Sequence, residues 1–404
     1  MIRHSIVILA MAMNILNYAD RASISILAPK IRAELGLSGT EMGVVFGIFS
    51  IAYALGQAPW GLFAERFGAR RLVAGAAVGW SGLIAATGFA WNYPSLLVIR
   101  FLFGIVEAAL SPAVAAGFRR WLPARDSAAG FGVFLAGGRL GAAITPWILA
   151  ALFASLSWRE VFFYLGPPGV IGAIVWLVWY RDVPASHPAI TREEVALLPQ
   201  VTEAPATPAL GAAVRSVRFW SLLGTAFCAT FLWQFYITWF PTYLTAEKHL
   251  SAREASFYAG LPFAFGLVGT VCGGVITSAL SRRIGVDRAR RWIGLVSLCS
   301  AAALMTAGLV LGAPGLMASA AGGVDLYLGA AWASAIEIGK EAGGGVAGLM
   351  NAASNAAAFA SPVAFGWLLD RFHDWNFPLM AAVGMTLVAA VLWLSVTGSH
   401  TRSR

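Results

Sequence analysis

The sequence predicts an all-α membrane protein with twelve transmembrane helices in two pseudo-symmetric six-helix bundles. Three observations carry that prediction. The chain of 404 residues is 59% hydrophobic and only 12% charged, about half the roughly 25% of a soluble domain, and its mean hydropathy is +0.73. Its apolar residues gather into twelve stretches near the length of about 20 residues that a helix needs to cross a bilayer. One long polar stretch, Arg181 to Arg218, divides six of them from the other six. This composition excludes a soluble multidomain enzyme and a disordered chain. A net charge of +9 would otherwise suggest nucleic acid, but the basic residues sit in short loops between apolar runs, as in a polytopic membrane protein.

The first stretch, 5–28, begins after Arg3 and His4 with a run that resembles a signal-peptide core. The apolar character continues to Pro29 without a small-residue cleavage site, so the segment reads as a retained span. Spans at 41–63, 72–90, 94–117, 127–153 and 161–180 complete an N-terminal bundle over 1–180. The linker, 181–218, holds five prolines and the charged patch Thr191-Arg-Glu-Glu194. The C-terminal bundle, 219–404, takes spans at 219–243, 254–280, 292–311, 314–337, 345–369 and 376–397, with Gly312-Ala-Pro-Gly315 turning the ninth into the tenth.

Orientation follows from the cations. With the N-terminus inside, 19 of the 28 lysines and arginines fall in inner segments, six in outer segments, and three (Arg21, Arg100, Arg139) within spans. The positive-inside rule then puts both termini and the linker in the cytoplasm. Three lysines against 25 arginines hint at a GC-rich bacterial genome, hence the inner membrane.

Cys228, Cys272 and Cys299 lie in apolar runs without paired spacing, and the five histidines lie in loops or at termini, so neither disulfide nor metal is expected. No phosphate-binding loop, HExxH or CxxC is present. The expectation is a non-enzyme without cofactor.

Setting aside Glu41, Glu254 and Glu337 at span ends, six ionisable residues fall inside spans: Asp20, Arg21, Arg100, Glu107, Arg139 and Asp325. Each costs about 2.5–3.5 kcal/mol at the bilayer centre even on the lower scale, so they must pair or line a wet cavity. Fully ionised, the set sums to zero; protonating one acid leaves a positive charge that an anion can offset. Arg100 and Glu107, seven residues apart, share a helical face about 10.5 Å apart along the axis, too far for a direct local pair. Asn14, Tyr18 and Arg21 line one face, while Asp20 points about 100° away from Arg21. One reading makes Arg21 and Arg100 carboxylate clamps and Asp20 and Glu107 proton carriers; the alternative is a buried salt bridge that holds the bundle. Arg139 is either a third cationic contact or an internal partner of Glu107 or Asp325.

Tyr53 and Gln57 are i, i+4 neighbours in the second span, and Asn351, Ser354 and Asn355 form a polar cluster in the eleventh. Gln234 and Tyr236 are the deeper polar groups of the seventh. These are pocket candidates, weighed against ordinary interhelical hydrogen bonding. Close glycines such as Gly269 and Gly273, or Gly43 and Gly47, read as helix packing.

The halves echo one another: Gly61-Leu-Phe-Ala-Glu-Arg-Phe-Gly-Ala-Arg-Arg71 follows the second span and Gly274-Val-Ile-Thr-Ser-Ala-Leu-Ser-Arg-Arg283 the eighth. The first of these resembles the G-x-x-x-D-x-x-G-x-[RK]-[RK] signature of the major facilitator superfamily, with Glu65 in the aspartate position. Asn17-Tyr-Ala-Asp-Arg21, Tyr53-Ala-Leu-Gly-Gln57, Arg100-Phe-Leu-Phe-Gly-Ile-Val-Glu107 and Thr238-Trp-Phe-Pro-Thr-Tyr243 resemble its anion:cation symporter branch. That resemblance implies an alternating-access carrier with a midplane site, carboxylate-binding and proton-coupling roles for the matching positions, substrate contact near Asn351, and a cytoplasmic gate at Gly61, Glu65, Arg66, Gly68, Arg70 and Arg71. Arg139 and Asp325 depart from the family pattern. The expected function is proton-coupled uptake of a small organic anion, a sugar acid or related carboxylate, by a monomer in the lipid bilayer. An exchanger or uniporter without proton coupling is the alternative, and a non-transporting sensor a third.

Overall fold

The computed structural model describes residues 1–153, 156–198, 210–339 and 343–397, which contain helices and connecting turns and no strand. The first half comprises α1 (Ile2–Leu35), α2 (Gly39–Phe67), α3 (Ala69–Thr87), α4 (Tyr93–Glu107), α5 (Leu110–Trp121), α6 (Ala124–Phe153), α7 (Trp158–Trp179) and the short α8 (Arg192–Ala196). The second comprises α9 (Val217–Thr238), the single turn α10 (Phe240–Thr242), α11 (Ala252–Ile284), α12 (Val286–Val310), α13 (Pro314–Asp325), α14 (Leu328–Gly339), α15 (Gly343–Phe372) and α16 (Asn376–Val396). Helix occupies every stretch that hydropathy marks as a span. Among the described residues, nine helical segments are long and apolar enough to cross a membrane.

Two of those stretches are broken helices rather than continuous ones. The stretch 94–117 divides into α4 and α5, interrupted at Ala108 and Ala109. Pro112 lacks the N–H that would bond to the Ala108 carbonyl, and its ring crowds that carbonyl, which favours the interruption. The stretch 314–337 divides into α13 and α14. There the Ser297 hydroxyl of α12 donates to the Gly323 and Val324 carbonyls and accepts from the Tyr327 N–H at 3.1 Å, serving backbone groups that the break releases.

Chain contacts form two compact units. One is Met1–Leu37 with Val44–Ala204; the other is Ser38–Gly43 with Pro205–Arg404. In the first, α1 packs along α6 and α3 along α7; in the second, α11 and α12 flank α13, and α9 packs on α15 and α16. Glycine sets the closeness of two of these seams. A β-carbon at Gly137 or Gly141 of α6 would lie 2.5 or 2.3 Å from the Met11 or Ile15 carbonyl of α1. At Gly269 and Gly273 of α11 it would lie 2.3 and 2.1 Å from the Gly322 and Leu326 carbonyls. Such contacts need a residue without a side chain.

The internal repeat is clearest at two glycines. Gly68 precedes α3 at φ 79°, ψ 156°, and Gly285 precedes α12 at φ 87°, ψ 156°. Both conformations favour glycine. They lie four positions out of step with the alignment of Gly61 on Gly274, so the conformational repeat is better registered on this turn than on the preceding apolar residues.

The first part of the linker packs on the first unit. Glu194 of α8 accepts from the backbone N–H groups of Ile2 and Arg3 at 3.0 and 2.9 Å, capping α1 from 192 and 191 residues away. Burial opposes ionisation of Glu194, but these two donors and the Arg3 charge together hold its carboxyl below the usual carboxylate range.

Candidate functional site

Within the first unit, α1, α2 and α4 bring four charged side chains and several aromatic rings together. Gly104 of α4 makes the approach possible: a β-carbon there would lie 2.6 Å from the Phe49 carbonyl of α2. Trp60 of α2 fixes the same seam by donating its Nε1–H to the Ile105 carbonyl at 2.6 Å. The start of α4 is set by Asn92 and Ser95, which form a reciprocal capping box, with Pro94 in the first turn. Glu107 therefore lies at the last residue of α4, with Arg100 two turns earlier.

Arg21 of α1 pairs with Glu107, donating from Nε at 3.0 Å and also from Nη2. Its guanidinium carbon lies 4.6 Å from the ring centres of Tyr18 and Phe49 and 4.8 Å from that of Tyr53. The cation thus sits among three aromatic rings, an arrangement that stabilises charge away from water. Glu107 is 1% exposed, and its second oxygen, Oε2, has no hydrogen-bond partner.

Arg100 is different. It is 2% exposed, it lies 5.1 and 5.0 Å from the Phe49 and Phe103 ring centres, and its Nε and Nη1 have no hydrogen-bond partner. A buried guanidinium with open donors is costly unless a carboxylate or similar anion completes it, and its planar fork matches a carboxylate in two parallel bonds. Asp20, 4% exposed, lies within electrostatic reach of both Arg100 and Glu107. Fully ionised, Asp20, Arg21, Arg100 and Glu107 sum to zero, so one bound proton leaves the cluster complementary to a monoanion.

The structure thus brings together Tyr18, Asp20, Arg21, Tyr53, Arg100 and Glu107 from the candidate residues. The Tyr53 hydroxyl also lies 3.5 Å from Ser111 Oγ. Gln57 is half-buried one turn beyond Tyr53, and Arg139 is half-buried on α6 beside Gly138, which packs on the Tyr18 ring. Three contributors escaped the sequence reading. Asn17 stands beside Glu107, while Phe49 and Phe103 flank the guanidinium groups. Asn17 lies one turn before Arg21 on the same helix, and that spacing was a usable signal; the two phenylalanines gave none.

The other candidates lie in the second unit or at the far end of the first. Tyr236 is enclosed and its hydroxyl donates to the Met317 carbonyl, so its polar group is occupied in helix packing. Asn355 donates back to the Asn351 carbonyl at 3.0 Å, and both are half-buried with Gln234. At the expected gate, Arg70 donates to the Leu177 carbonyl that ends α7 from Nε and Nη2 at 3.0 and 2.6 Å, and its backbone N–H to Asp182 at 3.1 Å. Arg66 and Arg71 are exposed and Gly61 is half-buried. The Glu65 side chain lies outside the described residues.

Comparison with known proteins identifies the family. A family model described as the Major Facilitator Superfamily matches residues 10–362. A probable sulfoacetate transporter of Cupriavidus necator is 29% identical over 403 residues, covering 98% of this chain and 94% of its own. A hexuronate transporter of Bacillus subtilis is 30% identical over 400 residues, covering 93% and 90%. A probable galactarate/D-glucarate transporter of Escherichia coli is 28% identical over 427 residues, covering 99% and 94%. Among solved structures, an inward-facing bacterial homolog of the lysosomal transporter Spinster superposes with a TM-score of 0.79 at 19% identity, covering 98% of this chain and 97% of its own, a likeness of fold.

Proposed function

The chain belongs to the Major Facilitator Superfamily, and from that premise we propose that it imports a small organic acid together with protons. It is a multi-pass membrane transporter and not an enzyme. In this reading Arg100 receives the substrate carboxylate, Arg21 shapes the same chamber, and Asp20 and Glu107 carry the coupled proton. The observation that supports it most is the Arg100 guanidinium, buried with open donors beside two carboxylates. Relatives named for sulfoacetate, hexuronate and galactarate or glucarate support a sugar acid or sulfonated small acid as the substrate class.

The mechanism follows from charge. An empty cluster with both carboxylates ionised is neutral. A proton from outside on Asp20 or Glu107 leaves one positive charge in excess, at Arg100, and an organic anion then binds to a site that matches it. Release inside of the anion and the proton returns the cluster to neutrality. Tyr18, Tyr53, Gln57, Arg139, Gln234, Asn351 and Asn355 are the proposed selecting groups, and Gly61–Arg71 the gate on the cytoplasmic side. The 19 to 6 distribution of cations supports both termini facing the cytoplasm of a bacterial cell.

A binding panel tests the substrate class. Purified protein is titrated with hexuronate, aldarate, sulfoacetate and a neutral hexose. Binding of one or more acids, none of the hexose, and loss of acid binding in Arg100→Gln are expected. Equal binding of the neutral hexose contradicts the reading.

A further inference from the structure

The repeat that relates the two halves extends to a carboxylate that the mechanism above leaves unused. Glu107 is the last residue of α4, and α5 begins three residues on, at Leu110. Asp325 is the last residue of α13, and α14 begins three residues on, at Leu328. Both acids are buried, at 1% and 5% exposure. Each follows a glycine by three positions, and each glycine packs on a phenylalanine carbonyl of a neighbouring helix. A β-carbon at Gly104 would lie 2.6 Å from the Phe49 carbonyl; one at Gly322 would lie 2.8 Å from the Phe265 carbonyl. The two acids occupy equivalent places in equivalent broken helices.

We propose that Asp325 is a second proton-binding site, the counterpart in the second unit of Glu107 in the first. This rests on the reading of Glu107 as a proton carrier. The immediate surroundings suit a carboxyl group that gains and loses a proton. Thr270 Oγ1 of α11 lies 3.5 Å from Asp325 Oδ2 and 3.0 Å from the Gly266 carbonyl. A hydroxyl so placed donates to the ionised carboxylate or, when it donates to Gly266, accepts from the protonated acid, and so serves both states of Asp325. The helices packed on α13 are α9, α11 and α12. Their interiors, 219–238, 255–281 and 292–310, contain no Asp, Glu, Lys or Arg. Their titratable side chains are Cys228 and Tyr236 of α9, Tyr258 and Cys272 of α11 and Cys299 of α12, and Tyr327, two residues beyond Asp325, lies within electrostatic reach of it. A proton taken from the outer side by Asp325 and released to the cytoplasm adds one to the number that accompanies each substrate.

The proton-to-substrate ratio tests this. In proteoliposomes with fixed substrate and pH gradients, the membrane potential at which net flux reverses gives that ratio. Asp325→Asn is expected to lower it by one while substrate still moves; an unchanged ratio overturns the proposal. A wild-type reversal potential that ignores the pH gradient removes the proton role of Glu107 and this inference with it, a failure distinct from the first. If the asparagine variant does not fold, Thr270→Val supplies the second readout. It leaves the carboxylate in place but removes the hydroxyl beside it, so the pH of half-maximal uptake is expected to shift. No shift in a correctly folded Thr270→Val protein also overturns the proposal.

Discussion

Glu107 is bound by Arg21, 86 residues earlier in the chain, and not by Arg100 on its own helix. The cluster is thereby asymmetric. One guanidinium is spent on an internal ion pair within a ring of aromatics, and the other keeps open donors. That difference assigns the two arginines different tasks although both are buried cations in the same chamber.

Arg100 is the residue whose loss should affect binding more than folding. Arg100→Gln removes two prospective charge-assisted hydrogen bonds, each of about 1.5–3 kcal/mol in net worth, a loss of at least about 100-fold in organic-acid affinity. Arg100 Nε and Nη1 make no hydrogen bond, but its charge offsets Asp20 and Glu107, so the melting temperature should fall, though less than in Arg21→Met. Isothermal titration and a thermal melt on the same preparation check both halves of the statement.

Arg21 should behave in the opposite way. Arg21→Met leaves Glu107 buried without its counter-charge, and breaking such a pair costs about 3–5 kcal/mol. The double variant Arg21→Met, Glu107→Leu should recover most of that stability and still fail to couple uptake to protons. Denaturation of the two variants side by side, with uptake assays on the double variant, separates stability from function. A double variant no more stable than Arg21→Met would show that the pair is not what stabilises this region.

Much of this cluster was legible in the sequence because intramembrane charge is expensive and therefore conspicuous. The face shared by Asn14, Tyr18 and Arg21, and the separation of Arg100 from Glu107, follow from helical spacing alone. Phe49 and Phe103 were not legible, since a phenylalanine facing a guanidinium reads the same as one facing lipid, such as the exposed Phe257. The breaks within the stretches 94–117 and 314–337 directly follow the acids Glu107 and Asp325, but a single acid inside a long apolar run does not lower hydropathy enough to divide it. The cap that Glu194 places on α1 depends on residues 191 and 192 positions apart, a distance at which local pattern carries no information. The repeat itself was visible, but its register needed the positive φ of Gly68 and Gly285.

The Glu194 cap predicts a pH-dependent stability. Its carboxyl pKa is lower in the folded protein than in an unfolded chain, where it lies near 4.3. The stabilisation is therefore fully present above that unfolded value and is lost as pH falls through the folded one. Glu194→Gln should cost about 1–2 kcal/mol at pH 7, and the two proteins should converge in stability once the pH falls below the depressed pKa of the folded state. Thermal melts across this range provide the check; a constant difference at all pH values would contradict the assignment.

The glycine seam of the second unit predicts a packing defect. Gly273→Ala puts a methyl group where the Leu326 carbonyl stands 2.1 Å away, and overpacking of this kind costs about 1–3 kcal/mol. Gly274→Ala, at a position with nothing within 4 Å, should be nearly neutral. The pair of variants, compared by thermal stability in the same detergent, isolates the contact from the general effect of adding a methyl group.

The central claim is that a buried cationic chamber binds an organic anion only when a neighbouring carboxylate has taken up a proton. Uptake into proteoliposomes under an imposed pH gradient, acidic outside, measures this most directly. Using an acid that binds in the panel, wild-type protein should accumulate it above the external concentration and lose that accumulation when the gradient is collapsed, while Asp20→Asn or Glu107→Gln should exchange substrate without accumulating it. Equal internal and external concentrations in wild-type vesicles, with or without the gradient, would contradict the account.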